Sequence, residues 1–130
     1  MTNEEILRLL KETKQGALAI YSKFHVAAVL ETTEGEFFTG INIESSSYGL
    51  TICAERVALF KALTDGKRAF KRIYILADSK GPCPPCGACR QVLMDFAPNI
   101  KVVMYAEDGA KIVKTIDALL PLAFNGEKLG

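Results

Sequence analysis

Neither sign of charge is in excess in this chain. Sixteen Lys and Arg stand against fifteen Asp and Glu, a formal net charge of +1, and neither sign forms a block. That removes most of the electrostatic case for a nucleic-acid partner, because neutralising phosphates requires clustered cations. No apolar run exceeds about five residues, whereas a membrane-spanning helix needs roughly 20, so no membrane partner is expected. The opening Met1-Thr2-Asn3-Glu4-Glu5 is acidic and lacks the cationic-then-apolar order of an export signal. A cytoplasmic, reducing setting is therefore the expectation, in which cysteines serve as ligands or nucleophiles more than as disulfide partners. There is no internal repeat, low-complexity stretch or linker, so residues 1–130 read as one domain. Hydrophobic residues at 49% and charged residues at 24% suit an ordinary folded domain. Area scaling gives roughly 20,000 Å2 for the unfolded chain and roughly 7,000 Å2 for the folded one, enough burial for a core without staples.

What is present is a sequence of well-marked elements. Thr2 followed by Glu5 has the form of a capping box, and Ile6, Leu9, Leu10, Thr13, Ala17 and Ile20 keep helical spacing. A first helix is predicted from about residue 3 towards 20, with Gly16 as its weak point. Val26–Leu30 and Glu36–Ile41 flank Thr33-Glu34-Gly35 as a β-hairpin. Helical spacing returns over Thr51–Leu63 and is stopped by Thr64-Asp65-Gly66. Ile73–Ala77 has the length of a buried strand, and Gly81-Pro82-Cys83-Pro84-Pro85 then breaks the chain. Cys86–Phe96 is a third helix, Ile100–Tyr105 a further strand, and Thr115–Leu120 a short helix stopped by Pro121. Strand, helix, strand implies a parallel pair with a right-handed crossover. With the hairpin it gives the fold class: α/β, a mixed sheet with helices on both faces.

The four cysteines, Cys53, Cys83, Cys86 and Cys89, carry the chemistry. Cys53 falls in the first turn of one predicted helix, and Cys86 and Cys89 in the first turn of the next. Free N–H groups and partial positive charge at helix starts favour thiolate over thiol. The two-residue gap in Cys86-Gly87-Ala88-Cys89 lets both sulfurs reach one metal at about 2.3 Å. A thiolate from Cys53 completes three protein ligands and leaves a tetrahedral position open, the arrangement of catalytic zinc. Glu55, two residues after Cys53, is turned roughly 200° round an ideal helix. From there a carboxylate can reach the open position and move the protons of a bound water. Zinc lowers the pKa of bound water from 15.7 to about 7; three thiolates oppose this, and Arg56, three residues from Cys53, is the compensating cation. A redox pair, buried thiols, or a closed four-cysteine zinc module without enzymatic activity also accommodate these cysteines. An iron–sulfur ligand run matches less well, because Arg90-Gln91-Val92 follows Cys89 where a further Cys-Pro is needed.

Cys53-Ala54-Glu55 and Pro85-Cys86-Gly87-Ala88-Cys89, followed by Arg90-Gln91, resemble the zinc-dependent nucleoside deaminases, specifically the small homotetrameric cytidine deaminases. The resemblance runs over nearly the whole chain, through Tyr21-Ser22-Lys23-Phe24, Gly40-Ile41-Asn42-Ile43-Glu44, Ser47-Tyr48-Gly49-Leu50-Thr51 and Leu119-Leu120-Pro121-Leu122-Ala123-Phe124. It implies a three-layer α/β sandwich and one Zn2+ per subunit on Cys53, Cys86 and Cys89. It further implies Glu55 as the catalytic proton shuttle and Arg56 beside the thiolates. Asn42 and Glu44 are implied on the ribose hydroxyl, Phe24 on the base and the Ala54 N–H on the ring carbonyl. Phe124 is implied to reach into a neighbouring subunit's pocket. The implied reaction is hydrolytic deamination of cytidine and deoxycytidine to uridine and deoxyuridine plus ammonia by a zinc-activated water, serving pyrimidine salvage. The implied partners are a small nucleoside and further copies of the chain.

Ala27 and Ser45-Ser46 stand where the family commonly has glycine and asparagine-alanine, and Cys83 is outside its ligand set. His25, the one histidine, reads as a strand residue near Phe24. Deamination of another aminopyrimidine nucleoside, such as a nucleoside antibiotic, is the alternative closest to this reading. Action on nucleic acid is opposed by the balanced charge and by Glu44, whose carboxylate would repel a 3′-phosphate.

Overall fold

Period-two alternation along three central strands builds two cores back to back. The computed structural model describes residues 1–129. Strands β1 (Val26–Thr32), β2 (Phe37–Ile41), β3 (Phe70–Ala77), β4 (Lys101–Tyr105) and β5 (Lys111–Thr115) form one sheet in the order β2-β1-β3-β4-β5. The β3–β4 pair is parallel and the others antiparallel. Helix α1 (Asn3–Gln15) covers one face, where Ile6 and Leu10 meet Ala27, Val29, Tyr74, Leu76, Val103 and Tyr105. On the other face Ala28, Leu30, Ile73, Ile75, Val102 and Met104 meet helices α2 (Ala54–Thr64) and α3 (Gly87–Phe96) and the short α4 (Ile116–Leu119). The result is the three-layer sandwich that the resemblance implies. Its accessible surface is 7233 Å2, in line with the area scaling. Among the described residues no helix is long and apolar enough to cross a membrane.

Two elements differ from the sequence reading. The capping box of Thr2 and Glu5 forms, but α1 stops at Gln15 instead of running towards residue 20. Gly16 caps it, and Leu18 turns away to bridge Ile43, its N–H donating to the Asn42 carbonyl at 2.9 Å. Those bonds tie residues 17–20 to the Asn42–Glu44 segment, which a continuing helix could not do. Strand β5 was not foreseen, because all five of its residues are exposed and an edge strand with no buried face has no apolar alternation to read. Lys111 and Lys114 keep that edge charged.

The starts of α2 and α3 lie within one residue or a few of the predicted positions, with Cys53 and Cys86 as the N-cap residues and Cys89 in the first turn of α3. Gly40 in β2 sets how deeply α2 is seated. A Cβ there would lie 2.2 Å from the Ala54 carbonyl oxygen and 2.6 Å from the Ala58 nitrogen. Only glycine lets the helix start lie this close to the strand.

Candidate active site

The starts of α2 and α3 bring together three sulfurs from positions 53, 86 and 89. The Sγ atoms of Cys53, Cys86 and Cys89 all lie within 4.8 Å of one another, and Cys53 and Cys86 are 3.5 Å apart. All three are free thiols, and the separation is far from the roughly 2.05 Å of a disulfide. It is close to the spacing of about 3.8 Å that follows for two sulfurs, each about 2.3 Å from a tetrahedral zinc. The Cys53 thiol is drawn down to about 5 by its hydrogen bond with Cys89 and by the Arg56 guanidinium, with burial opposing. Cys89, fully buried, is pushed up by the same shared hydrogen bond and by its burial. Three cysteine sulfurs clustered within 4.8 Å are a soft donor set that suits zinc. Arg56 Nη2 donates to Cys53 Sγ at 3.5 Å, while its buried Nε has no hydrogen-bond partner among the described residues. The guanidinium is thus committed to the sulfur cluster, as expected of a cation offsetting thiolate charge.

Glu55 lies beside this cluster and is only 5% exposed. Burial pushes its carboxyl up to about 7, and the neighbouring Cys53 thiolate adds to the push. A carboxyl poised there can take and release a proton near neutrality.

One cavity of about 250 Å3 collects most of the remaining candidates: Phe24, Asn42, Glu44, Cys53, Ala54, Glu55 and Cys86 all line it. Cys83 lines the same cavity but stands outside the sulfur trio. A larger groove of about 720 Å3 lies between α2 and residues 43–52, shares Glu44 with the cavity, and contains none of the thiols. Cys53, Cys86 and Glu55 thus open onto the smaller cavity and not the groove. Phe124 is 57% exposed and does not line its own chain's cavity; Gln91 Nε2 donates to its carbonyl at 2.8 Å, which fixes the segment to α3.

Asn42 and Glu44 turn out to brace the site as well as line it. The Asn42 carboxamide donates to the Phe24 carbonyl at 2.9 Å and accepts from the Val26 N–H at 3.0 Å. Glu44 Oε1 accepts from the Tyr21 and Ser22 N–H groups, each at 2.9 Å, and Oε2 from the Ser22 hydroxyl. The Ser22 bonds, then the Tyr21 bond, hold the Glu44 carboxyl below the usual carboxylate range. Lys23, at φ 62, occupies the left-handed region between these contacts and Phe24. His25 lies near Phe24 but just ahead of β1, which begins at Val26, and is not the strand residue read from sequence, because its ring and backbone N–H are both taken by the Asp78 side chain. Asp78 was not singled out from sequence, and Ser22 only as part of the Tyr21–Phe24 motif with no role of its own, since each supports a residue tens of positions away.

Comparison with known proteins agrees with this geometry. The family model for the cytidine and deoxycytidylate deaminase zinc-binding region matches residues 1–107. A cytidine deaminase of Halalkalibacterium halodurans is 42% identical over 130 residues, spanning 99% of this chain and 98% of that protein. A blasticidin-S deaminase of Bacillus cereus is 30% identical over 133 residues, spanning 94% of each. The crystal structure of a cytidine deaminase from Burkholderia pseudomallei, 42% identical, has a TM-score of 0.91 and covers 95% of this chain and 100% of its own. A match of this extent, on a chain whose three thiols suit a zinc ion, places the chain in the cytidine and deoxycytidylate deaminase family.

Proposed function

We propose that this chain is a zinc-dependent cytidine deaminase that hydrolyses cytidine, and deoxycytidine, to the uracil nucleoside and ammonia. The observation that carries the reading is a buried carboxyl, Glu55, beside three clustered thiols at the wall of a nucleoside-sized cavity. Cys53, Cys86 and Cys89 would hold the metal, and zinc bound there would supply the Lewis acidity that makes a water nucleophilic near neutral pH. Glu55 would take one proton of the attacking water and pass it to ring nitrogen 3 as the water oxygen bonds to carbon 4, then carry the water's second proton to the amine as its bond to carbon 4 breaks, so that one water is consumed and one ammonia released. The Ala54 N–H, at the start of α2, orients the ring carbonyl. Phe24 packs on the base, and Asn42 and Glu44 take the ribose hydroxyl. Cytidine is favoured over a nucleoside antibiotic by the higher identity to cytidine deaminases, 42% against 30%.

The working unit is a homotetramer of single-domain subunits in this reading. Supporting it are the apolar groove containing Ile43, Leu50 and Phe60, and the exposed Phe124, which has no place in its own cavity. Unpaired thiols in close contact fit a reducing, cytoplasmic setting. The test is zinc analysis with an assay for uridine and ammonia. One zinc per chain and cytidine turnover are expected. Zinc-loaded protein that leaves cytidine unchanged would overturn the reading.

A further inference from the structure

We propose that Asp78 is a positioning residue for the nucleoside cavity, holding Phe24 and Asn42 in place through the backbone of residues 24–26; this rests on the reading that the cavity takes a nucleoside. Those three residues form the hinge between the strained turn at Lys23 and strand β1, and side chains from elsewhere grip them on two sides. Asn42 takes the outer groups, the Phe24 carbonyl and the Val26 N–H. Asp78 takes the middle one: its Oδ2 accepts from the His25 N–H at 2.8 Å and from His25 Nδ1 at 2.7 Å, while its own N–H donates to the His25 carbonyl at 3.0 Å. The Phe24 N–H is left to Ser22 Oγ, which also bonds Glu44. Each peptide group from Phe24 N to Val26 N is thereby held, and two of the holders, Asn42 and Glu44 through Ser22, line the cavity.

Asp78 follows directly on β3, whose pairing with β1 begins at Val26–Ala77. Its side chain makes the bond that a further rung of the ladder would otherwise supply. It is itself anchored from behind. Lys14 of α1 reaches Asp78 Oδ1 at 2.9 Å, also pairs with Glu107 beyond β4, and is only 13% exposed in its side chain. The carboxylate cannot swing away without giving up this cation. Removing it leaves the His25 N–H without its acceptor and frees the 23–25 turn, held at φ 62 at Lys23, to relax. Phe24 would then leave the cavity wall and Asn42 would lose its backbone partner. The sulfur cluster and Glu55 are on other elements and are untouched, so the effect falls on binding and not on the chemical step.

The experiment compares the zinc-loaded wild type with Asp78→Ala, Asp78→Asn and Lys14→Met. It measures KM and kcat for cytidine, the Kd for uridine by calorimetry, zinc content, and amide hydrogen exchange at Phe24–Val26. Asp78→Ala is expected to raise KM and the uridine Kd about tenfold, the usual effect of losing a hydrogen bond to a charged group. Zinc should be retained, kcat should change little, and the 24–26 amides should exchange faster. Asp78→Asn, which keeps an oxygen for the His25 N–H, should recover most of the affinity. Lys14→Met should fall between wild type and Asp78→Ala. A purely structural Asp78 would lower the melting temperature while leaving KM, Kd and the local exchange at wild-type values, and that result overturns the positioning role alone. Wild-type protein that neither binds uridine nor consumes cytidine overturns the nucleoside reading, and the positioning role with it.

Discussion

Glu55 is a carboxyl that the fold buries without giving it a cation of its own; the nearby Arg56 is spent on Cys53. Burial would ordinarily make such a group costly, so a chemical use is the economical explanation of its presence. Glu55→Gln conserves volume and removes the titrating proton. It should keep zinc and the fold while lowering kcat by about 10²–10⁴-fold, the usual contribution of general acid–base catalysis. Metal analysis beside the rate decides it, since loss of zinc would make Glu55 a ligand. The cysteines should likewise divide into three and one. Cys83→Ser should retain one zinc per chain, because Cys83 lies outside the sulfur trio, whereas Cys53→Ser, Cys86→Ser or Cys89→Ser should each lose most of the metal. If Cys83→Ser sheds zinc, the site is a closed four-cysteine one and the enzymatic reading fails. The trio and Glu55 were legible in the sequence because their geometry is local: two helix starts and two short spacings. The roles of Ser22 and Asp78 were not, because they act on Glu44 and His25, 22 and 53 residues away, and leave no short-range pattern.

Helix α2 carries Cys53 at its cap and Glu55 in its first turn, so in the proposed mechanism its seating on the sheet bears on catalysis as well as packing. Ala54, Ala58 and Ala62 are fully buried, a small-residue stripe at four-residue spacing that lets the helix approach closely. Gly40 completes that approach. Gly40→Ala drives a methyl group into the Ala54 carbonyl and the Ala58 nitrogen. We expect about 1–3 kcal/mol of destabilisation, as for overpacking elsewhere, together with weaker zinc binding because Cys53 moves with the helix. Urea midpoints and chelator competition measure the two effects. Gly81→Ala, whose added carbon meets nothing within 4 Å, is the control and should change neither. The elements with a buried face were readable from periodicity, including the parallel β3–β4 pair joined by α3. The end of α1 was not, since its residues up to Ile20 keep helical spacing yet are claimed by a bridge to Ile43. Strand order and β5 depend on pairings that no single segment encodes.

For the molecule as a whole, one charged cluster and one C-terminal segment join parts that are distant in sequence. Asp78 links α1, the start of β1 and, through Lys14, the turn after β4. Burial pushes its carboxyl up, but hydrogen bonds from Lys14 and from His25 more than reverse this and hold it at about 2, against an ordinary value of 3.8. A depressed carboxyl stabilises the fold above its unfolded pKa and loses that contribution as pH falls through the folded one. The stability gap between wild type and Asp78→Asn should therefore be level from neutral pH to about 5 and close between about 4 and 2. Urea titrations across that range check it; a gap that widens on acidification contradicts the assignment. The gap should be modest, since the Asp78 side chain is 34% exposed. The C-terminal segment makes a second link. Arg90 donates to the Pro85 and Leu119 carbonyls, each at 2.8 Å, and Gln91 donates to the Phe124 carbonyl, so the helix bearing Cys89 also fixes where Phe124 is presented. The ring is exposed and does not line the chain's own cavity. In the proposed tetramer a neighbour's cavity would take the ring, and each site would then need Glu55 from one chain and Phe124 from another. Phe124→Ala should raise KM in a zinc-loaded, assembled protein. Mixing it during assembly with Glu55→Gln subunits should restore low-KM turnover that neither variant shows alone, because some sites receive one intact copy of each part. Sedimentation comes first: a fully active monomer at assay concentration would rule out the shared cavity and leave the zinc site as described.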